Sequence, residues 1–212
     1  NDFSRYNISG AYFNQEGIVK NSGMEKIFLR FNNDFNFTDW LKGGVSFAYN
    51  RLNKTNYNGD LYNGVLPGVL RADPVTPAWD QTTNNWGRAD LSYINNPARI
   101  VDESKNNKNW ENRYFTNIWG EAAITSDLNF RSQFGLDYRD YKYKNYLPEF
   151  FITTDEQRSE SSLYERRAEG INWAWSNYFN YIKEINEDHT INAMLGMEAQ
   201  YNSWNGMWVQ AY

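Results

Sequence analysis

Residues 27–37 read IFLRFNNDFNF. Every second side chain from Ile27 through Leu29, Phe31, Phe35 and Phe37 is apolar, and Asn33 is the single exception. The intervening positions are Phe28, Arg30, Asn32, Asp34 and Asn36. Successive side chains of an extended strand point to opposite faces, so a period of two predicts a strand with one dry and one wet face. Six further segments repeat this pattern, giving strands over about 5–14, 25–37, 42–54, 111–125, 128–143, 166–183 and 189–203. In the central parts of all seven, the apolar positions hold no Asp, Glu, Lys or Arg. The opposite positions hold Arg30, Asp34, Glu121, Arg131, Asp137, Arg139 and Glu198 among many amides and hydroxyls.

A soluble sandwich also alternates dry and wet, so the alternation does not name the solvent. Three features favour a bilayer. The segments exceed the usual strand of about five or six residues and suit tilted strands crossing a membrane in about 9–11. Aromatic residues gather at both ends of the apolar band. Phe35, Phe37, Trp40, Phe130, Phe179 and Tyr181 lie towards one end; Tyr12, Tyr49, Tyr138, Trp173, Trp175, Tyr201 and Trp204 lie towards the other. Two such girdles mark the interfaces of a membrane barrel. Finally, short connections near 38–42, 126–127 and 184–188 alternate with longer ones, as between the two sides of an outer membrane. The expected fold is all-β: a long antiparallel meander of about seven strands, forming one unit over 1–212 as part of a larger transmembrane barrel. A long insert at about 56–110 interrupts it. A short helix is expected within 61–71, and Pro74 and Pro77 then enforce an extended path.

Composition changes this picture little. No apolar run approaches the length of a membrane-spanning helix, and interleaved polar positions keep a barrel's average hydropathy low. The net charge of -5 argues against a nucleic-acid partner, which requires a basic stripe. Without cysteine there is no disulfide framework or thiolate metal site. The opening NDFSRYNISG has neither signal-peptide features nor an initiating Met, so the chain reads as an excerpt or a processed product.

Catalytic signals are sparse. His189, the one histidine, has no second His or any Cys to share a metal, and reads as a turn residue. Phosphate loops, nucleophile elbows and zinc-protease motifs are missing. Asp137 with Asp140, and Glu149 with Asp155, are ordinary solvated carboxylates unless a cleft sets their spacing. NYNGD at 56–60 matches a calcium loop poorly. Asn7, Asn36 and Asn53 begin Asn-x-Ser/Thr triplets inside or beside strands, where chance accounts for them. No catalytic residue, metal or cofactor is assigned. The stronger candidates are Trp79, Asp80, Trp86 and Trp110 in the insert, as rings and polar groups for stacking on a sugar or peptide. Taken alone, each ring reads first as one that pins the insert to the barrel rim.

Larger motifs add a resemblance. GAYFNQEGIVKNSG followed by RFNNDFNFTDWLKGGVSFAYN resembles the barrel of SusC/RagA-type TonB-dependent transporters of the Bacteroidetes outer membrane. INNPARIVDES, DLNFRSQFGLDY and NYFNYIKEINEDHTINAMLGMEAQ continue the likeness in order along nearly the whole chain. The resemblance implies a 22-stranded barrel with an N-terminal plug, importing glycans or peptides with energy from the TonB complex, beneath a SusD-like surface lipoprotein. It also implies that Arg30, Asp34, Glu121, Arg131, Asp137 and Arg139 face the lumen. Seven strands cannot close such a pore and leave two raw edges. A soluble all-β carbohydrate-binding module and a passive porin-like segment remain the alternatives.

Overall fold

The computed structural model describes residues 3–62, 64–89 and 95–212. Its main element is a seven-stranded antiparallel sheet. The strands are β1 (Ser4–Glu16), β2 (Gly23–Asn36), β3 (Leu41–Thr55), β6 (Lys108–Ala123), β7 (Leu128–Leu147), β10 (Ser162–Asn186) and β11 (His189–Ala211). Between β3 and β6 lie α1 (Val65–Arg71), the hairpin β4 (Trp79–Asp80) with β5 (Asn85–Trp86), and α2 (Pro97–Glu103), followed by a 3-10 turn at Ser104–Asn106. A second small hairpin, β8 (Phe150–Phe151) with β9 (Gln157–Arg158), sits between β7 and β10. Each long strand pairs with its neighbours in chain order, and β1 and β11 each keep an unpaired edge. The sheet is therefore open, a part of a barrel wall.

All seven expected strands form, and all run longer than the alternation suggested: β7 has 20 residues, β10 has 25 and β11 has 23. The expected helix forms as α1, shortened at its start, where Asp60 and Asn58 carbonyls receive the Gly64 and Val65 amides. Helix α2 was not anticipated. Its signals are present: the Asn96 side chain caps the Ala98 amide, and Pro97 occupies the first turn, where its missing N–H costs nothing.

The register shows what each face carries. One row across β2, β3, β6, β7 and β10 is Leu29, Tyr49, Tyr114, Tyr138 and Ile171. The next is Phe31, Phe47, Thr116, Leu136 and Trp173, followed by Asn33, Val45, Ile118, Phe134 and Trp175. On β7 the band runs from Leu128 to Tyr138, close to the span of about 9–11 residues that a tilted membrane strand needs. Polar groups in the band pair locally. The Ser4 hydroxyl donates to Asn33 Oδ1 at 2.7 Å, and Trp175 Nε1 donates to Ser132 Oγ at 3.1 Å. Aromatic pairs cross the strands, including Phe130 on Phe179 at 4.9 Å and Trp173 on Tyr201 at 6.0 Å.

Beyond the Tyr138 row the two faces exchange character. The positions continuing the apolar face become Asp140, Lys142 and Lys144 on β7 and Glu165, Arg167 and Glu169 on β10. Lys142 and Arg167 both pair with Glu165, at 3.2 and 3.1 Å. The opposite face now carries Tyr141 and Tyr143 on β7, Tyr164 on β10, and Trp204 and Trp208 on β11. Trp204 thus departs from the outer girdle expected for it. It pairs with Gly170 on the polar face, and its ring lies so close that a Cβ at Gly170 would come within 2.6 Å.

Among the described residues no second layer covers the sheet. Among the described residues the buried apolar side chains are Val65, in α1, and Ala168, in the upper part of β10. The band's large apolar residues, such as Ile118, Phe134, Phe179 and Leu195, are exposed. A contiguous exposed apolar face of this size marks a contact surface. Among the described residues no helix is long and apolar enough to cross a membrane, which leaves open a crossing by strands.

Candidate functional site

Two shallow depressions lie side by side on the polar face, and their linings differ in charge. The first, of about 630 Å³ across β2, β3, β6 and β7, is bordered by Arg30, Arg113 and Arg131 with the rings of Phe28, Phe115 and Trp119. No carboxylate lines it. The second, of about 690 Å³ across β6, β7, β10 and β11, is lined by amides including Asn172, Gln200 and Asn202 and by Asp137 and Glu198. No lysine or arginine lines that one.

Between them Arg113 clamps Asp137 with two bonds, Nε to Oδ1 at 2.8 Å and Nη2 to Oδ2 at 2.6 Å. A planar guanidinium matches a carboxylate this way without strain. Arg131 Nη1 reaches Glu121 Oε2 at 3.3 Å, and its guanidinium lies over the Trp119 ring at 4.3 Å. Trp119 can lie flat because Gly44 is its register partner: a Cβ there would meet Trp119 Nε1 at 2.5 Å. Arg139 pairs with Glu111 at 3.5 Å. Glu198 accepts from the Ser176 hydroxyl at 2.6 Å. Arg30, Asp34, Glu121, Arg131, Asp137 and Arg139 thus all project from one face. Arg131 with Glu121, Asp137 with Arg113 and Arg139 with Glu111 are paired across strands, which makes the face a polar surface of matched charges.

On the loop side the structure divides the four residues singled out in the insert. Trp79 and Trp86 face one another across β4 and β5, edge to face at 5.1 Å, with Trp79 the more exposed. Asp80 supports the turn between them. Its carboxylate accepts from the Thr82 amide at 2.8 Å and the Thr83 hydroxyl at 2.9 Å, and these bonds hold its pKa below the ordinary carboxylate value. Asn84 completes the turn with a left-handed φ of 51°, which asparagine tolerates. Trp110 lies elsewhere, in β6, on the face that continues the apolar band, with Lys142 Nζ 5.6 Å from its ring. The insert rings do not form one platform with Trp110.

Above the band, Trp204, expected in the outer girdle, joins three rings the pattern had not singled out, Tyr143, Tyr164 and Trp208. Tyr143 and Tyr164 meet at 5.8 Å, and Tyr164 stacks on Trp208 at 6.1 Å. Trp204 and Trp208 are 50% and 67% exposed, so these rings are available to a ligand or partner. The signal is in the sequence: alternation continues through YKYK at 141–144 with its polarity reversed.

No family model matches the chain. It is 28% identical over 204 residues to TonB-dependent receptor P26 of Formosa agariphila, covering 92% of this chain and 19% of that protein. TonB-dependent receptor P39 of the same organism is 24% identical over 208 residues, 93% of this chain and 18% of the relative. Among solved structures, the RagAB peptide importer in its 'open-open' state superposes with a TM-score of 0.77 at 18% identity, over 98% of this chain and 23% of that one. Its 'closed-closed' state gives 0.75 over 99% and 24%. The chain spans about a fifth of the length of the curated relatives it matches. In sequence and in fold, then, it resembles a stretch of the barrel of the SusC/RagA-type TonB-dependent transporters.

Proposed function

We propose that the chain is a segment of the barrel wall of an outer-membrane TonB-dependent transporter that imports glycans or peptides. Its apolar band meets outer-membrane lipid, its polar face lines the lumen, and its long loops stand outside the cell. One observation carries the reading. On β7 the sheet keeps an uncharged apolar face over a membrane-spanning length, from Leu128 to Tyr138, and charged side chains take over its positions from Asp140 onward.

Within the transporter, Arg30, Asp34, Glu121, Arg131, Asp137 and Arg139 present charge to passing solute. The rings at Tyr143, Tyr164, Trp204 and Trp208 line the entrance above them. Trp79 and Trp86, braced by Asp80, offer a contact surface at the loops for cargo or for a SusD-like lipoprotein, and Trp110 marks the rim. Coupling to the TonB complex belongs to parts of the longer protein outside this chain. The test is uptake by cells carrying the full-length protein with Trp204→Ala and Trp208→Ala. Cargo uptake falls severalfold at unchanged surface level if these rings line the entrance. Unchanged uptake removes them from the path.

A further inference from the structure

We infer that the long loops on one side of the sheet form a single cap, latched by an exchange of charges of which Arg99 and Glu156 are buried, that opens or holds as one body. The insert between β3 and β6 and the loop between β7 and β10 each send ionic groups into the other. Glu156, in the second loop, is 8% exposed, and its Oε1 accepts from the Asn96 amide at 2.8 Å and Arg99 Nε at 3.3 Å, both in the insert. In return, Glu103 of the insert accepts from Arg158 of the second loop at 2.9 and 3.3 Å. Arg99, 4% exposed, also bonds Glu103 at 2.9 Å, so the four charges form one chain: Glu156, Arg99, Glu103, Arg158. Phe150 closes the cluster, with the Arg99 and Arg158 guanidiniums 3.8 and 5.0 Å from its ring centre.

Neutral ties extend the same unit. Asn96 Nδ2 reaches the carbonyls of Pro77, Ala78 and Gly87, fixing the β4–β5 hairpin to α2. Asn85 Nδ2 donates to the Phe151 carbonyl at 2.7 Å, and Asn21, in the β1–β2 turn, donates to the Val101 carbonyl at 3.1 Å. Asn21 holds a left-handed φ of 61°. A buried charge left without its partner is costly, so a state with half the cluster broken is disfavoured against either whole arrangement. Local structure with shared interactions of this kind opens cooperatively. The loops are therefore one lid with one latch, and the Trp79–Trp86 pair moves with it.

Amide hydrogen exchange of the full-length protein in membranes, carrying Glu156→Gln, tests this. Exchange is expected to rise at least about tenfold in the insert, around Asn96 to Ser104, as well as in 148–161, while β6 and β7 within the band stay unchanged. Arg99→Met is expected to act in the opposite direction, raising exchange in 148–161. Effects confined to the loop that bears the substitution, or absent from both, overturn the proposal. Should Glu156→Gln prevent assembly, Asn85→Ala removes one exposed tie between the loops, and its smaller rise must likewise appear on both sides.

Discussion

In the band of the sheet, Ile118, Phe134, Phe179 and Leu195 stand exposed, whereas in the loops Asn96, Arg99, Ser104 and Glu156 are buried. This inverts the usual arrangement of a soluble domain, and the two halves of the inversion have different causes. In the proposed membrane setting the sheet needs no core of its own, because lipid would remove its apolar face from water and the strands satisfy one another's backbone groups. Loops in water gain nothing from lipid. Their apolar residues, such as Leu66, Leu70 and Val75, are exposed, and the loops are held by hydrogen bonds and by the ion pairs around buried Arg99 and Glu156. Stability in the sheet therefore depends on what surrounds it, while stability in the cap depends on partners within it.

Substitutions can break each half separately. The largest effect is expected from Arg99→Ala, which strands Glu156 and leaves Glu103 with a single cation: about 3–5 kcal/mol of local stability lost in the cap, read by hydrogen exchange, with barrel assembly intact. Leu136→Lys comes next. It should cost about 2–4 kcal/mol in assembly into bilayers if it lies near mid-membrane. Asn172→Lys, on the opposite face, should cost far less. Ser132→Ala removes the acceptor for Trp175 Nε1 inside the band and should cost about 1 kcal/mol in reversible unfolding from bilayers.

The smallest effect concerns pH. Asp80 has a depressed pKa in the folded loop, so its bonds to Thr82 and Thr83 hold above the ordinary carboxylate value of 3.8 and are lost as pH falls through the lowered one. Titration of its carboxyl carbon resonance should show that midpoint displaced downward in the native protein and restored in Thr83→Ala to nearer the ordinary value.

Much of the sheet was legible because alternation over Leu29, Phe31, Phe35 or Leu128, Phe130, Phe134 leaves one register that keeps charge off one face. The seven charged residues assigned to the wet face follow from the same parity. Strand ends were less legible. Alternation of reversed polarity through Tyr141, Lys142, Tyr143 and Lys144 looks like the end of a membrane strand when only the band is sought. Trp204 was misplaced for a related reason, since it follows the apolar run of β11 but has even parity. The insert was the hardest to read. Its order comes from contacts such as Asn96 with Glu156, 60 residues away, which no local pattern signals. For the same reason Trp110 could not be separated from Trp79 and Trp86 by sequence alone.

The central claim is that one face of the sheet meets lipid only within the band. Nitroxide labels placed one at a time along β7, from Leu128 to Leu147, in the full-length protein in bilayers test it directly. Even-numbered sites from Leu128 to Tyr138 should collide with oxygen more than with a water-soluble nickel chelate, and odd-numbered sites should do the reverse. From Asp140 onward the even-numbered sites should become accessible to the chelate. Alternation with the opposite parity, no alternation, or oxygen preference continuing through Lys142 and Lys144 would contradict the account.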